Sequence, residues 1–513
     1  MKQVAIDGET LTIENIVAVA RSNAVVTISD KSKKKVEHAQ DTLKHLVNEK
    51  KIIYGVTTGF GALGNVAISP EDVRKLQVNL IRSHSSAVGK PLSKDVTRAL
   101  MLLRANTLTK GYSGIYPQTL ETLVQMINKD VCPIIPEKGS VGASGDLAPL
   151  SHMALVMIGE GKAEYNGIVM EGKTAMKSAN IPPVTLNAKE GVALNNGTQM
   201  MTAIAALTVH DAEILVQTAE VAAALSLEAL LGILDAFDAK IHKVRPHYGQ
   251  VITAKNIRSI LSGSQLAKTS NAVVKGNKYP QDPYSLRCIP QVLGTVRDAI
   301  RFVKGIVEVE INSATDNPLV FSESKECLSG GNFHGQPISA AMDYLAIALA
   351  TLGNFSERRT ARLMDRNLSR GLPAFLITEK TKSGLQSGFM TLQYTAAALA
   401  SENKSLAHPA SVDSIPTSAN FEDFVSMGPI AARKASDILR NAQYIIAIEL
   451  LSAAQGIEFR GPDKLGKGTK TAYDTIREEV PVLQEDRVVH KDIEAVGALI
   501  REGKFSKLEL GLS

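Results

Sequence analysis

The sequence has no tryptophan and only three cysteines in 513 residues. Cys132, Cys288 and Cys327 are widely spaced and form no Cys-x-x-Cys pair. This argues against a disulfide framework or a zinc ribbon and suits a reducing compartment. The basic residues are scattered and are not interleaved with aromatic residues, so single-stranded nucleic-acid binding has no support.

Long apolar runs are also missing. The most apolar stretch, 221–234, is interrupted by Glu228 and is shorter than the roughly 20 residues that a membrane span needs. The N-terminus has an acidic residue at Asp7 and no apolar core of a signal peptide. We therefore expect a cytoplasmic protein that binds neither a membrane nor a nucleic acid.

Signatures of metal and nucleotide sites are absent or weak. The ten histidines never occur as His-Glu-x-x-His or His-x-x-x-His, so no metal site is expected. Residues 59–64 match the dinucleotide pattern Gly-x-Gly-x-x-Gly, but no helix follows directly. We interpret this segment as a flexible glycine-rich loop that carries Tyr54 just before it, and such a loop can close over a site.

Helical patterns dominate what is present. Apolar residues recur at helical spacing in four long, alanine-rich segments, which predict a mainly α fold with a long-helix bundle: 198–236, 337–362, 389–404 and 429–458. The N-terminal part is mixed but mostly helical. Its predicted helices cover 32–49, 70–83 and 93–110, and its predicted hairpins cover 4–11 and 161–171. We expect two regions, 1–200 with the glycine-rich loops and 201–513 with the long-helix bundle and C-terminal helices.

The segment Ala143-Ser144-Gly145 is followed by Asp146, so it fails the Gly-x-Ser-x-Gly pattern of a serine nucleophile elbow. Taken alone, it also suits a helix start, with Ser144 or Asp146 as the cap and Pro149 in the first turn. The segment by itself leaves these interpretations open.

An ordered set of motifs from about residue 52 to 459 changes this interpretation. The motifs cover residues 54–61, 79–86, 139–152, 196–199, 281–288, 330–335, 401–404, 408–409, 411–414 and 422–423. The set resembles the histidine ammonia-lyase family, which is part of the aromatic amino acid ammonia-lyases. The resemblance implies an aspartase/fumarase-like helix bundle and a homotetramer whose active sites are shared between subunits.

In the family that the chain resembles, Ala-Ser-Gly cyclises to 4-methylideneimidazol-5-one. Here the Gly145 nitrogen would attack the Ala143 carbonyl carbon, which needs a compressed backbone that glycine allows. Loss of water from the ring and from Ser144 would leave an electrophilic methylene group. The expected cofactor is therefore made from the chain itself, with no metal or nucleotide.

The resemblance also implies roles for other residues. Tyr54 resembles the catalytic base. A free phenol has a pKa near 10, so the site must favour the phenolate or couple the proton transfer, and nearby cations and helix N-termini are the expected means. Tyr284 resembles a second active-site tyrosine, and Arg287, three residues later on the same side of a helical turn, would hold the substrate carboxylate. Asn196 and Gln281 match polar groups that hold the ring or the substrate, and Phe333 matches an aromatic wall.

Substrate choice depends on fewer residues. His84 and Glu422 match the pair that contacts an imidazole, and Met390 could line the same pocket, so L-histidine is the expected substrate and trans-urocanate the product. The chain departs from the family at Asn195 and at Phe424, with Phe421 nearby. A tyrosine or phenylalanine ammonia-lyase, a 2,3-aminomutase and a non-catalytic scaffold are the alternatives.

Overall fold

The computed structural model describes residues 2–270, 281–378 and 384–506. Most of these residues are helical, which confirms the predicted mainly α class. The α-helices are α1 Ile13–Ser22, α2 Asp30–Asn48, α3 Val73–His84, α4 Lys94–Thr109, α5 Pro117–Asn128, α6 Leu147–Met157, α7 Gly172–Ser178, α8 Glu190–Asn195, α9 Gln199–Ala229, α10 Ala239–Lys243, α11 Tyr248–Ile260, α12 Tyr284–Arg287, α13 Ile289–Glu310, α14 Gln336–Met364, α15 Met390–Leu406, α16 Gly428–Glu458, α17 Lys467–Glu479 and α18 His490–Arg501.

The strands are short and form small sheets. They are β1 Gln3–Ile6, β2 Val25–Ile28, β3 Val88–Pro91, β4 Cys132–Pro133, β5 Pro136–Lys138, β6 Lys162–Tyr165, β7 Ile168–Glu171, β8 Leu319–Phe321 and β9 Glu326–Leu328. The pairs are β1 with β2, β3 with β5, β4 with β6, β6 with β7, and β8 with β9. The sheets are therefore a minor part of a mainly helical fold.

The four predicted long helices are present as α9, α14, α15 and α16. Alanine-rich stretches without interior proline favour such helices, and Pro429 lies in the first turn of α16, where its missing N–H costs nothing. Helix α9 ends at Ala229 rather than at 236, because Leu231 has a left-handed φ of 51° and Gly232 follows it.

The predicted hairpin at 4–11 is wrong. Strand β1 instead pairs in parallel with β2, with Val4 opposite Val26. Asp7 accepts the N–H groups of Glu9 and Thr10, and the chain then enters α1. The partner strand lies beyond a helix, so the local alternation of residues could not reveal it. The second predicted hairpin, at 161–171, is confirmed as antiparallel β6 and β7.

The chain divides into two compact units, each made of separate segments. The first unit comprises Met1–His210, Lys304–Asp343 and Pro409–Arg433; the second comprises Asp211–Val303, Tyr344–His408 and Lys434–Ser513. The division at residue 200 inferred from sequence stays a prediction about organisation along the chain.

One helix in the described part of the chain, α14, is long and apolar enough to span a membrane by length and composition. In its most apolar window, 67% of the residues are buried inside the structure. This burial is typical of a core helix.

Candidate active site

A cavity of about 380 Å³ lies within the first unit. It is lined by Tyr54, Ala143, Ser144, Asn196, Asn317, Ser329, Gly330, Phe333, His334, Phe421, Glu422, Asp423 and Phe424. Six of the predicted site residues are in this set: Tyr54, Ala143, Ser144, Asn196, Phe333 and Glu422. The structure therefore brings together residues from distant parts of the sequence.

The backbone around Ala143 is held on both sides. The Val141 carbonyl accepts the N–H of Met427 at 2.8 Å, and the Gly142 carbonyl accepts the Ser426 hydroxyl at 2.8 Å. On the other side, the Ser140 hydroxyl donates to the Gly145 carbonyl at 3.2 Å. These bonds fix the ends of the Ala-Ser-Gly turn in a tight conformation.

Gly145 occupies a position that no other residue fits. Its φ is +69°, and a Cβ atom here would lie 2.1 Å from the Gly197 carbonyl oxygen. The next amide, that of Asp146, donates to the same oxygen at 2.6 Å. The glycine thus permits both the left-handed backbone and the close approach of the chain at Gly197.

The hydrogen bonds of Asp146 argue against the alternative interpretation of this segment as a helix cap. It precedes α6 but makes no side-chain capping bond to that helix. Its Oδ2 instead accepts the N–H of Met201 at 3.0 Å, in the first turn of α9, and its Oδ1 accepts from Ser140. The carboxyl group is fully buried, and this burial raises its pKa to about 7.

Arg104, which the sequence analysis did not single out, holds the turn that faces Gly145. It is fully buried, and its guanidinium donates to the carbonyls of Asn196 at 2.8 Å and Thr315 at 3.1 Å and to the Gln199 side chain at 2.9 Å. Burial lowers its pKa to about 10. Its signal in the sequence is an arginine that directly follows the apolar stretch 99–103 of α4.

The two asparagines of this turn differ in their partners. Asn195 is buried and donates to the Ser151 hydroxyl at 3.1 Å, so its polar group is satisfied in the interior. Asn196 lines the cavity, and its Oδ1 is buried without a hydrogen-bond partner among the described residues. A buried acceptor without a partner is costly, so Asn196 fits a role in binding a donor within the cavity.

Glu422 lies against Ser144. The Ser144 hydroxyl donates to Glu422 Oε1 at 2.9 Å, and the Thr417 hydroxyl donates to Glu422 Oε2 at 2.9 Å. Thr417 and Glu422 also form a short antiparallel bridge around the turn Ser418–Asn420. Thr417, which was not predicted, thus fixes the carboxylate beside the serine.

Tyr54 is half-buried and faces the same cavity. Its hydroxyl accepts the N–H of Gly61 at 2.7 Å, and its ring stacks on Phe421, with 6.5 Å between centroids and an interplanar angle of 12°. Burial raises the pKa of Tyr54 above its usual 10, the Gly61 N–H lowers it, and the charge of Glu422 raises it further. Of the expected ionisation aids, the Gly61 N–H is the one that lowers the pKa of Tyr54 here, and it does not offset the effect of burial. How the site favours the phenolate or couples the proton transfer stays a prediction.

His84 is the last residue of α3. Its Nδ1 lies 3.0 Å from the Ser83 hydroxyl. Burial lowers the pKa of His84, while a hydrogen bond to the Leu80 backbone and the nearby charge of Glu422 raise it. The net pKa lies below the usual 6.5, so the imidazole is neutral at pH 7 and near the Glu422 carboxylate.

Aromatic and amide groups complete the wall. The ring of His334 stacks on Phe424 at 5.9 Å, and His334 Nε2 lies 3.2 Å from the Phe424 carbonyl oxygen. Asn317, a residue not predicted, accepts the Gly330 N–H at 2.8 Å. Phe333 lines the cavity as the resemblance implied.

The remaining predicted residues lie in the second unit. The Arg287 guanidinium lies 4.5 Å from the Tyr284 ring centroid, which confirms that the two share one side of a helical turn. Arg287 Nε donates to the Asp282 carbonyl at 2.8 Å, and Tyr284 is 68% exposed. Gln281 is exposed, and Met390 begins α15. None of these residues lines the cavity of the first unit.

Tyr284 lines a different cavity, of about 850 Å³, within the second unit. Three arginines lie along its wall: Arg358 and Arg362 on α14, and Arg366 just after the end of that helix. In residues 2–270, 281–378 and 384–506, no group of three His, Cys, Asp or Glu side chains is placed to hold a metal ion.

Known proteins share both the sequence and the fold. Residues 11–478 match the family described as aromatic amino acid lyase. A histidine ammonia-lyase of Alkaliphilus oremlandii is 56% identical over 98% of this chain and 98% of its own. The crystal structure of histidine ammonia-lyase from Trypanosoma cruzi superposes with a TM-score of 0.91 at 42% identity, covering 99% and 94% of the two chains. Tyrosine aminomutase from Streptomyces globisporus gives 0.94 at 41% identity, covering 99% and 98%.

Proposed function

The chain belongs to the aromatic amino acid lyase family, and we propose that it eliminates ammonia from L-histidine to give trans-urocanate. The observation that carries this proposal is the 2.9 Å contact between Ser144 and Glu422. It places a carboxylate, which can accept an imidazole N–H, next to the residue from which the electrophile is made. A carboxylate in this position would gain nothing from an unsubstituted phenyl ring.

The residues around Ser144 fit formation of 4-methylideneimidazol-5-one. Gly145 has the left-handed φ and the lack of space that exclude a side chain, and Ser140 and Ser426 hold the flanking carbonyls. The unpartnered Oδ1 of Asn196 faces the cavity. The ring would supply an electrophilic methylene that takes up the substrate amine and makes ammonia a better leaving group.

The side chains of the cavity, together with His84 near Glu422, have the remaining roles. Tyr54 removes the β-proton, which requires its phenol to lose a proton first. Glu422 and the neutral His84 hold the substrate imidazole through its N–H and ring nitrogen. Phe333 packs against the bound molecule, and Asn196 accepts a hydrogen bond within the site.

A cation for the substrate carboxylate is missing from this set, because no Lys or Arg is among the residues that line the first cavity. We propose that Arg287, with Tyr284, Gln281 and Met390, completes the active site from another subunit of a homotetramer. The exposure of Tyr284 supports this arrangement, since a catalytic tyrosine that is 68% exposed in one chain needs a further surface to form a site. A cytoplasmic location is part of the same proposal.

Phe421 and Phe424 favour a second candidate. Both rings line the cavity and are 60% exposed, so they could pack against a phenyl or phenol ring. A tyrosine or phenylalanine ammonia-lyase, or an aminomutase that returns the amine to the β-carbon, is the alternative.

The experiment is a substrate comparison with the purified protein. Incubation with L-histidine, L-tyrosine and L-phenylalanine is followed by ultraviolet absorbance of the conjugated acrylate, with chromatography for β-amino acids. We expect acrylate from histidine alone. Acrylate or a β-amino acid from tyrosine, with none from histidine, would reject the proposal in favour of the alternative.

A further inference from the structure

Glu422 has a partner inside the chain before any substrate binds. Its Oε1 accepts the Ser144 hydroxyl at 2.9 Å, while its Oε2 accepts the Thr417 hydroxyl at 2.9 Å. One oxygen is therefore anchored to the protein, and the other faces the residue that has to lose its hydroxyl group. A role limited to binding the substrate does not account for this contact.

The backbone around Glu422 holds the carboxyl group in place. Ser418, Ala419 and Asn420 all have left-handed φ angles, of 52°, 52° and 66°, without a glycine among them. Such a turn costs free energy and persists only where the surrounding structure imposes it. Here the bridge between Thr417 and Glu422 closes the turn and aims the carboxyl group at Ser144.

Conversion of Ala143-Ser144-Gly145 removes two waters. In the cyclisation, the Gly145 nitrogen bonds to the Ala143 carbonyl carbon; the carbonyl oxygen leaves with the hydrogens of the Gly145 and Ser144 nitrogens. In the second step, the Cα–H electron pair of Ser144 forms the Cα–Cβ double bond. The electron pair of the Cβ–O bond stays on the hydroxyl oxygen, which takes one proton and leaves as water.

The second step depends on that proton. After cyclisation, the Ser144 Cα–H lies between a carbonyl group and a C=N bond, so its proton is acidic. Hydroxide, in contrast, is a poor leaving group, and an acid that protonates it in the transition state contributes about 100-fold to 10⁴-fold in rate. The group that contacts Ser144 Oγ is therefore the one that can supply this proton.

Other ionisable groups near the turn have different partners. The Tyr54 hydroxyl accepts from Gly61, and the Asp146 carboxyl group accepts from Met201 and Ser140. Asp423 lines the same cavity, but Glu422 is the acid within hydrogen-bond distance of the Ser144 hydroxyl in the described part of the chain.

We propose that Glu422 is the acid that dehydrates Ser144. Its carboxylate, which accepts the hydroxyl groups of Ser144 and Thr417, takes up the proton released from Ser144 Cα and gives it to the Ser144 hydroxyl oxygen as the Cβ–O bond breaks. The proposal rests on the proposed function, since it assumes that the ring forms. Loss of the hydroxyl then frees Oε1 while Thr417 still holds Oε2, so the same oxygen becomes available for the N–H of the substrate.

The test measures maturation rather than turnover. Wild type, Glu422→Gln, Glu422→Ala and the matched control Asp423→Asn are compared by intact mass and by fragmentation of the peptide that contains residues 139–152, with circular dichroism to check folding. Glu422→Gln retains the shape and a hydrogen-bonding group but has no acidic proton. If Glu422→Ala does not fold, this isosteric variant decides the test.

Wild type and Asp423→Asn are expected to be lighter than their sequences by two waters, about 36 Da. Both Glu422 variants are expected to keep the Ser144 oxygen, because dehydration slows by about 100-fold or more. Complete loss of 36 Da from folded Glu422→Gln would overturn the proposal. An unmodified wild type would instead contradict ring formation itself, so the two failures are distinguishable.

Discussion

The cavity that contains Ser144 and the cavity that contains Tyr284 are lined by different kinds of charged and polar groups. The cavity of the first unit holds a serine, a phenol, carboxylates, amides and aromatic rings, and no Lys or Arg lines it. The cavity of the second unit is lined by Arg358, Arg362 and Arg366 and by the exposed Tyr284. Arg287 is not part of this lining but stacks on the Tyr284 ring. An amino acid substrate needs both an electrophile for its amine and a cation for its carboxylate. The difference therefore indicates that substitutions in the first unit should lower kcat and that substitutions at Arg287 should raise KM.

The largest effect is expected from Ser144→Ala. Without the serine hydroxyl no methylene can form, so histidine turnover should fall by about 10⁴-fold or more, as when a covalent catalyst is removed. The same substitution at Ser178, an exposed residue at the end of α7, is the matched control and should keep activity within about twofold, as for a surface substitution away from the reacting atoms. Steady-state assays of both variants decide this; equal losses would show that Ser144 has no special role in turnover.

Tyr54→Phe is expected to lower kcat by about 100-fold to 10⁴-fold, the range for a general base, and to leave the loss of two waters from Ala143-Ser144-Gly145 unaffected. Because burial raises the pKa of Tyr54, its phenolate fraction grows with pH across the neutral and mildly alkaline range. The kcat/KM of wild type should therefore rise with pH by up to about tenfold per unit, and the residual activity of the variant should lose this rise. Tyr112→Phe, whose ring packs on Phe321, is the control.

Arg287→Lys tests the second unit. A lysine keeps the charge but loses the two parallel hydrogen bonds to a carboxylate. We expect KM for histidine to rise by about 10-fold to 100-fold, equivalent to about 1.4 to 2.7 kcal/mol, with full loss of both waters from Ala143-Ser144-Gly145. A lowered kcat with unchanged KM would show that Arg287 acts in the chemical step instead.

The smallest effect is expected from Phe421→Ala. Its ring stacks on Tyr54, and aromatic pairs of this kind contribute about 0.5 to 1.5 kcal/mol. If this contact positions the phenol, kcat should fall by about twofold to tenfold while KM changes little, and Phe421→Tyr should restore it. A gain in tyrosine or phenylalanine turnover by the alanine variant would instead assign Phe421 to substrate selection.

Local patterns were enough to predict the long helices. Segments such as 429–458 carry a continuous helical pattern and a first-turn proline, and helix α16 covers almost the same residues. The strand β1 was mispredicted because its partner β2 lies on the far side of α1. A parallel pair needs a crossover connection between its strands. The alternation of apolar and polar residues within one strand carries no information about that connection.

Local sequence patterns predict the candidate active site even less well than the fold. Ser144 and Glu422 are 278 positions apart, so their contact follows from the fold; the roles of the two residues could be expected only from the family resemblance. Arg104 was detectable in principle, as an arginine after the apolar stretch 99–103 of α4, but the carbonyl groups that it binds are set by the turn at Asn196 and Gly197. Thr417 carries no sequence signal, because a threonine in a polar loop is ordinary.

The central claim is that the first cavity makes its own electrophile from Ala143, Ser144 and Gly145. The direct measurement is the mass of the intact, active wild-type chain, with fragmentation to locate any change. The account predicts a chain lighter by two waters, about 36 Da, with the loss confined to residues 143–145. An unmodified chain that still converts histidine would contradict it.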